Sequence, residues 1–318
     1  MTGSIRDHVV LLVGGVGGAK LAVGMAECLP PEALTIIVNT ADDFEHLGLH
    51  ISPDLDTVMY SLSGLAHPIN GWGIADDTPR AMEMVNRLGG PDWFRLGDSD
   101  IGTNLMRTSM LDEGKTLTQI TTHLSRQLGI QHRLLPMTDD TVRTIVETNQ
   151  GVLGFQEYFV RERWQPVVQS IRFEGILTAH ASHEVESALD EAALIIFGPS
   201  NPYLSIDPIL AVPRIRQRIE QSATPCVAVS PIIGGRAVKG PAAKLMAELG
   251  ADVSPRGIAA HFAGLLDGLI LDTIDQEEIP KVEALGIRST AYRTLMESLS
   301  DKVALAENIL TWTEETYP

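Results

Sequence analysis

Short apolar runs alternate with amphipathic stretches along most of this chain. Residues 8–13 (HVVLLV) form a continuous apolar run that ends in glycines, the pattern of a strand buried on both faces. Residues 19–29 have helical periodicity and stop at Pro30 and Pro31. A second strand follows at 35–39 (TIIVN), and further buried strands are expected at 193–197, 225–229 and 268–271. Helices are expected at 117–128, 184–192, 207–221, 241–249, 255–265 and 301–312, two of them with proline in the first turn. Acidic and glycine-rich loops are expected through much of 41–90. Strands joined by helices imply parallel pairing with right-handed crossovers. The expected fold is therefore α/β, a Rossmann-like doubly wound, mainly parallel sheet. Residues 152–168 and 170–176 lean towards strand and break the alternation, so 134–178 reads as an inserted mixed segment within one large domain spanning 1–318.

Composition narrows the function classes. The 318 residues are 44% hydrophobic and 20% charged, which excludes disorder for the bulk of the chain. Two cysteines, Cys28 and Cys226, give no zinc spacing and suit a reducing compartment. Against 24 Lys and Arg stand 41 Asp and Glu, a net charge of −17. That balance argues against broad neutralisation of a nucleic-acid backbone, but leaves room for one phosphorylated small molecule. No run approaches the roughly 18 apolar residues of a membrane span. The opening MTGSIRDHVV has no charged segment followed by an apolar stretch, so a cytoplasmic protein is expected.

Four glycines lie within positions 14–18, between the first strand and the first helix. Such a loop lets backbone approach a ligand closely and admits positive φ, and amides at a helix start attract anions. Gly15, Gly17, Gly18 and Lys20 are the candidate contacts. Lys20 stands where a dinucleotide-binding fingerprint would carry its third glycine, and Lys20-Leu21 replaces the Lys-Ser/Thr of a P-loop. Redox dinucleotide binding and ordinary nucleoside triphosphate hydrolysis are both disfavoured.

The end of the second strand carries Asp42 and Asp43, with Asp54 and Asp56 shortly after. Four aspartates this close repel one another unless a cation or solvent relieves them. Magnesium takes one or two carboxylates, with phosphates and waters completing its shell. Asp42 and Asp56 are the selected pair. Further polar loops follow later strands: Ser200 and Asn201 in GPSNP, Ser230 and Gly234 in SPIIGG, and Lys239 before a helix. These sit at carboxyl ends of strands, the binding edge of an open α/β sheet. Asp98, Asp100 and Thr103 lie in another polar segment, and the preceding Trp93-Phe94 offers either a face for a flat ring or a core anchor. His46 and His50 read as structural.

Seven ordered segments, LVGGVGGAKLAVG, VNTADDFEHLGLHISPDLDTVMYSLSG, DWFRLGDSDIGTNLMR, RLLPMTDD, GFQEYFV, FGPSNPYLSIDPIL and SPIIGGRAVKGPAAKLM, together resemble the 2-phospho-L-lactate transferase family of coenzyme F(420) biosynthesis. The resemblance spans about residues 9–271. It implies a magnesium-dependent homodimeric enzyme that moves a 2-phospholactyl-type group (phospholactate, phosphoenolpyruvate or phosphoglycerate). The donor is guanosine diphosphate-linked, the acceptor is the deazaflavin alcohol Fo, and GMP is released. It implies that Asp42 binds the metal and orients or deprotonates the attacking hydroxyl, with Asp56 as second ligand. Gly15, Gly17 and Gly18 then border the diphosphate or the acceptor. Ser200, Asn201, Ser230, Gly234 and Lys239 serve the guanosine diphosphate, and Asp98, Asp100 and Thr103 the deazaflavin. The chain departs from the family at Ala41, Gly102 and Asn104, where Gly, Ala and His are common; an asparagine cannot shuttle a proton near neutral pH. The alternative reading is a non-catalytic nucleotide-binding regulator of the same superfamily. Pro53-Asp54-Leu55-Asp56 and Leu96-Gly97-Asp98 favour the enzyme.

Overall fold

A computed structural model describes residues 4–318. In chain order the first part comprises β1 (Val9–Val13), α1 (Val16–Cys28), β2 (Leu34–Val38), a hairpin of β3 (Phe44–His46) and β4 (Leu49–Ile51), and then α2 (Pro53–Leu62), α3 (Arg80–Arg87), α4 (Asp98–Asp112) and α5 (Leu117–Gln127). The middle comprises β5 (Arg133–Pro136), β6 (Arg143–Thr148), β7 (Gly151–Gly154), β8 (Val168–Glu174), α6 (His183–Glu191) and β9 (Leu194–Phe197). The last part comprises α7 (Asp207–Ala211), α8 (Ile215–Gln221), β10 (Cys226–Val229), the short hairpin β11 (Ile232–Ile233) and β12 (Arg236–Ala237), α9 (Ala242–Glu248), α10 (Pro255–His261), β13 (Gly268–Asp272), α11 (Ile279–Glu283), β14 (Arg288–Tyr292) and α12 (Leu299–Thr316).

Seven strands form one sheet in the order β14-β13-β10-β9-β1-β2-β5, every pair parallel. Helices cover both faces, which is why the strands read as unbroken apolar runs. Val10, Leu12, Ile195 and Phe197 face α6, α8 and α10. Val9, Leu11, Val13 and Ile196 face α1, α2 and α12. The α/β doubly wound expectation therefore holds. The chain moves outward from β1 through β2 to β5, then returns to β9 and moves outward on the other side. That reversal puts a crevice at the carboxyl ends of β1 and β9, where open α/β sheets bind ligands.

Several expectations change. The inserted segment does not begin at 134: Leu134 and Leu135 are buried in β5, the edge strand paired with β2. Pro136 is tolerated there because an edge strand has no partner on its far side. The insertion itself is the antiparallel sheet β7-β6-β8, with a small core of Val146, Tyr158 and Val168 against Leu204 and Leu245. Loop fills about half of 41–90, as expected, but the stretch also carries a hairpin and two helices. Leu47 and Gly48, both at positive φ, turn the β3–β4 hairpin, and Pro53 opens α2 with Asp54 and Asp56 in its first turn. The polar segment after Gly97 is helical because Asp77 accepts hydrogen bonds from the amides of Ser99 and Asp100 at the start of α4. The helix expected at 207–221 is two helices, broken around Pro213 with Arg214 at φ 75°. Strand β14, half-buried and polar in part, carried no strong periodic signal. Among the described residues, no helix is long and apolar enough to cross a membrane.

Candidate active site

A cavity of about 1390 Å³ opens over the β1–β9 crevice. Small-molecule pockets usually run to about 300–1,000 Å³, so this one has room for two sizeable ligands. Its floor is the glycine loop. Gly14 N–H donates to Ser200 Oγ at 3.1 Å, joining the β1 and β9 loops directly. A Cβ at Gly17 would lie 2.3 Å from the Pro199 carbonyl oxygen, and one at Gly15 2.9 Å from Asp54 Oδ1. Approach to backbone requires glycine at 17, whereas at 15 the close neighbour is a side-chain oxygen. None of the four in 14–18 is at positive φ, contrary to expectation.

The acidic corner is built from β2 and α2. Asn39, fully buried at the end of β2, donates from Nδ2 to Asp54 Oδ2 (3.0 Å) and to the Leu204 carbonyl (3.2 Å), while its Oδ1 accepts from the Ala41 amide. This bracket brings Asp42 and Asp54 to the same wall of the cavity. Burial, reinforced by the Asp54 charge, holds the Asp42 carboxyl well above the usual range. Burial likewise pushes Asp54 up to about 7. Oδ1 of Asp42 is buried with no hydrogen-bond partner. Asp43 turns away: its Oδ2 accepts from Ser52 Oγ at 2.7 Å and meets His50 Nε2 at 3.1 Å.

Asp56 has a different partner from the metal expected of it. Both of its carboxylate oxygens face the guanidinium of Arg107, which is fully buried on α4. Asn104 Oδ1 accepts from the same guanidinium, and Asn104 Nδ2 donates to the Asp100 carbonyl at 2.9 Å. Tyr60 Oη donates to Asp100 Oδ1 at 2.7 Å. Burial, with the Asp56 charge behind it, lifts Asp100 to about 6. Asp56, Arg107, Asn104, Asp100 and Tyr60 thus form one network, with Asp56, Tyr60 and Asp100 on the cavity wall and Arg107 and Asn104 behind it. Asn104 serves it as a neutral two-way link, donor on one side and acceptor on the other.

Ten of the expected site residues line the cavity: Gly15, Gly17, Lys20, Asp42, Asp56, Asp100, Ser200, Asn201, Ser230 and Lys239. Four do not. Gly18 packs under Val13 and Ser200. Asp98 accepts from the Ala81 amide at the start of α3, a capping job, and Thr78 Oγ1 with that amide lowers its pKa. Thr103 sits by Tyr60. The Gly234 amide is taken by the Asp275 carboxylate at 3.0 Å. Some lining groups are already engaged. Lys20 Nζ donates to the Met296 carbonyl at 2.6 Å, and desolvation lowers its pKa. Asn201 Oδ1 caps the turn after β9 through the Tyr203 and Leu204 amides.

Sequence reasoning missed Asp54 as the partner of Asp42, and missed Arg107. No local pattern separates Asp54 from Asp56 in the first turn of α2; Asn39 reaching one and Arg107 the other makes the choice. The insertion's contribution was also unforeseen. Phe155 and Phe159 stack at 5.3 Å on the cavity wall, and Arg161 lies 5.8 Å from the centroid of Trp93. Trp93 and Phe94 cluster with Phe44 and His46 and, half-buried, also line the cavity, so they are anchored and still border the ligand space.

An open parallel sheet with a cavity at its switch point defines a doubly wound α/β protein with its ligand crevice at the carboxyl ends of the strands. Residues 9–301 match the family model described as 2-phospho-L-lactate transferase CofD. The chain is 41% identical over 314 residues to a phosphoenolpyruvate transferase of Streptomyces griseus, covering 97% of this chain and 99% of that protein. It is 38% identical over 302 residues to a 2-phospho-L-lactate transferase of Methanosarcina mazei, covering 95% and 99%. A crystal structure of a UPF0052 family member from Bacillus halodurans superposes with a TM-score of 0.64 at 18% identity, covering 97% of this chain and all of that one; it supports the fold. The chain belongs to the 2-phospho-L-lactate transferase family, and it is a transferase.

Proposed function

We propose that this protein transfers a 2-phospholactyl-type group from a guanosine diphosphate-linked donor to the hydroxyl of the deazaflavin Fo, releasing GMP, in coenzyme F(420) biosynthesis. The acyl group is phospholactate, phosphoenolpyruvate or phosphoglycerate. The observation that carries the reading is a single cavity large enough for two ligands, with a glycine loop and two raised-pKa carboxylates on one wall. The relatives named phosphoenolpyruvate transferase and 2-phospho-L-lactate transferase support the reaction class.

In this reaction the Fo hydroxyl oxygen forms a bond to the phosphorus that bears the acyl group. The bond from that phosphorus to the bridging oxygen of GMP breaks, and the hydroxyl proton passes to a base. Such transfers depend on positioning and charge neutralisation more than on covalent catalysis. Burial holds the metal-free Asp54 carboxyl near 7, so taking up a cation and losing its own proton are coupled at neutral pH. Asp42, beside it, orients the hydroxyl. Main-chain amides at the start of α1 and Lys20 face the donor phosphates.

The donor set fits a magnesium ion. Asp42 offers a buried oxygen with no partner, and Asp54 a second hard oxygen. Among the described residues no group of three His, Cys, Asp or Glu is placed to hold a metal, so phosphate oxygens and water would complete the shell. When bound, the ion would neutralise the phosphates as charge builds during transfer. We assign Asp42 and Asp54 to it and Asp56, through Arg107, to positioning. The reading includes a homodimer in the cytoplasm.

The test is GMP formation, followed by chromatography, with each donor in the presence and absence of Fo. Fo-dependent GMP release supports transfer. GMP release unaffected by Fo would make the protein a hydrolase, and no release with intact GDP binding would favour the non-catalytic regulator.

A further inference from the structure

Residues 66–74 connect α2 towards α3 as a compact loop. An Ala66–Ile74 bridge closes its neck, reinforced by His67 N–H to the Gly73 carbonyl at 3.0 Å. His67 Nδ1 accepts from the amides of Ile69 and Asn70 at 3.2 and 3.3 Å, which shapes the tip. The loop rests on the start of α1: a Cβ at Gly71 would lie 2.6 Å from Val16 Cγ1. Across the cavity mouth, Lys239 Nζ donates to the carbonyls of Asn70 (2.9 Å) and Ile69 (3.4 Å).

Trp72 stands on this loop between two glycines, Gly71 and Gly73, at φ 73° and 70°. It lines the cavity, yet 56% of its surface is exposed. Leaving an indole in water is unfavourable unless a partner covers it. The other tryptophan on the cavity wall is already engaged. Trp93 has His46 at 5.4 Å, Phe94 at 5.7 Å and the Arg161 guanidinium near its face. Trp72 has no aromatic or cationic partner of this kind among the described residues. Its anchored backbone also limits the ordering cost of making it a contact.

We infer that Trp72 is a stacking platform for a flat fused heteroaromatic ring of a substrate, held beside the glycine loop by Val16 and the Lys239 strap. The identity of that ring, guanine or deazaflavin, rests on the proposed transferase reading. The platform role can be tested without turnover.

Two variants separate the possibilities. Trp72→Phe keeps a stacking face but removes the indole emission. Trp72→Ala removes both, and its exposure predicts an unchanged melting temperature. Titrating wild type and Trp72→Phe with GDP alone and with Fo alone should reveal quenching that is clearly larger where Trp72 emits, above what Trp93 contributes in both. GDP as the quencher identifies guanine, and Fo the deazaflavin. In steady-state transfer, Trp72→Ala should raise KM for the matching substrate about tenfold, with kcat changed less, and Trp72→Phe should recover most of that loss. Identical quenching in wild type and Trp72→Phe, with both KM values unchanged in Trp72→Ala, would overturn the inference while leaving normal wild-type transfer intact. Failure of wild type to bind either ligand would instead overturn both this inference and the transferase reading.

Discussion

Asp54→Asn isolates the electrostatic cost stored in the acidic corner. The Asp54 carboxyl has an ordinary value of 3.8 and is raised to about 7 by burial. Between these values the native state binds more protons than the unfolded state. Stability in metal-free buffer therefore falls as pH rises from about 4 to about 7. A displacement of about 3 pKa units corresponds to about 4 kcal/mol. Asp54 is only partly buried and faces the cavity, whose water screens the charge, so about 2 kcal/mol is expected. With an unfolding entropy of about 2.1 cal/mol/K per residue, that is about 3 °C in melting temperature. Asp54→Asn carries no titrating proton at this position. In EDTA it should melt close to wild type at pH 4 and about 3 °C above it at pH 8. Scanning calorimetry across that range, read as the difference between the two proteins, cancels the shared groups that Asp54 does not touch; Asp42, which the Asp54 charge raises, moves the difference in the same direction. Magnesium binding requires ionised carboxylates, so adding it at pH 8 should raise wild type and leave the variant nearly unmoved. Parallel melting curves from pH 4 to pH 8, or a variant below wild type at pH 8, would refute the argument.

Other predictions concern neighbouring parts of the site. Arg107→Ala leaves the Asp56 charge buried without its partner and should cost about 3–5 kcal/mol in denaturant unfolding; a loss under 1 kcal/mol would show that the pair is not buried in solution. Asp42→Asn should lose most turnover while its circular dichroism spectrum stays native, and wild-type rates would remove Asp42 from the mechanism. Gly17→Ala places a methyl 2.3 Å from the Pro199 carbonyl oxygen; it should lower both melting temperature and GDP affinity, and unchanged GDP binding by calorimetry would separate this loop from the donor. GDP with magnesium should raise the wild-type melting temperature by mass action, and undiminished turnover in EDTA would sink the metal assignment.

What the sequence conveyed about this fold follows from burial. β1, β2, β9, β10 and β13 are covered on both faces, so each is a plain apolar run between helices. β5 and β14 sit at the sheet edges, where one flank is open and the pattern weakens. The helices α2 and α4 were hidden because their first turns are acidic and resemble loop, although acidic residues suit a helix N-terminus. Asp42 was identifiable because a strand end next to a glycine loop is a position fixed by topology. Choosing between Asp54 and Asp56 was not, since it depends on Asn39 reaching one and Arg107, fifty-one residues on, reaching the other. The aromatic wall from Phe155 and Phe159 depends on how the inserted sheet docks, which no local pattern specifies.

The central claim is tested most directly by mass spectrometry of the acceptor. Purified protein, Fo and magnesium are incubated in turn with the phospholactyl, phosphoenolpyruvyl and phosphoglyceryl guanosine diphosphate-linked donors. The account predicts that Fo gains the mass of one phospho-acyl group in step with GMP, fastest with one donor, and that Asp42→Asn abolishes the gain. Unmodified Fo with all three donors, from protein that still binds GDP, would contradict it.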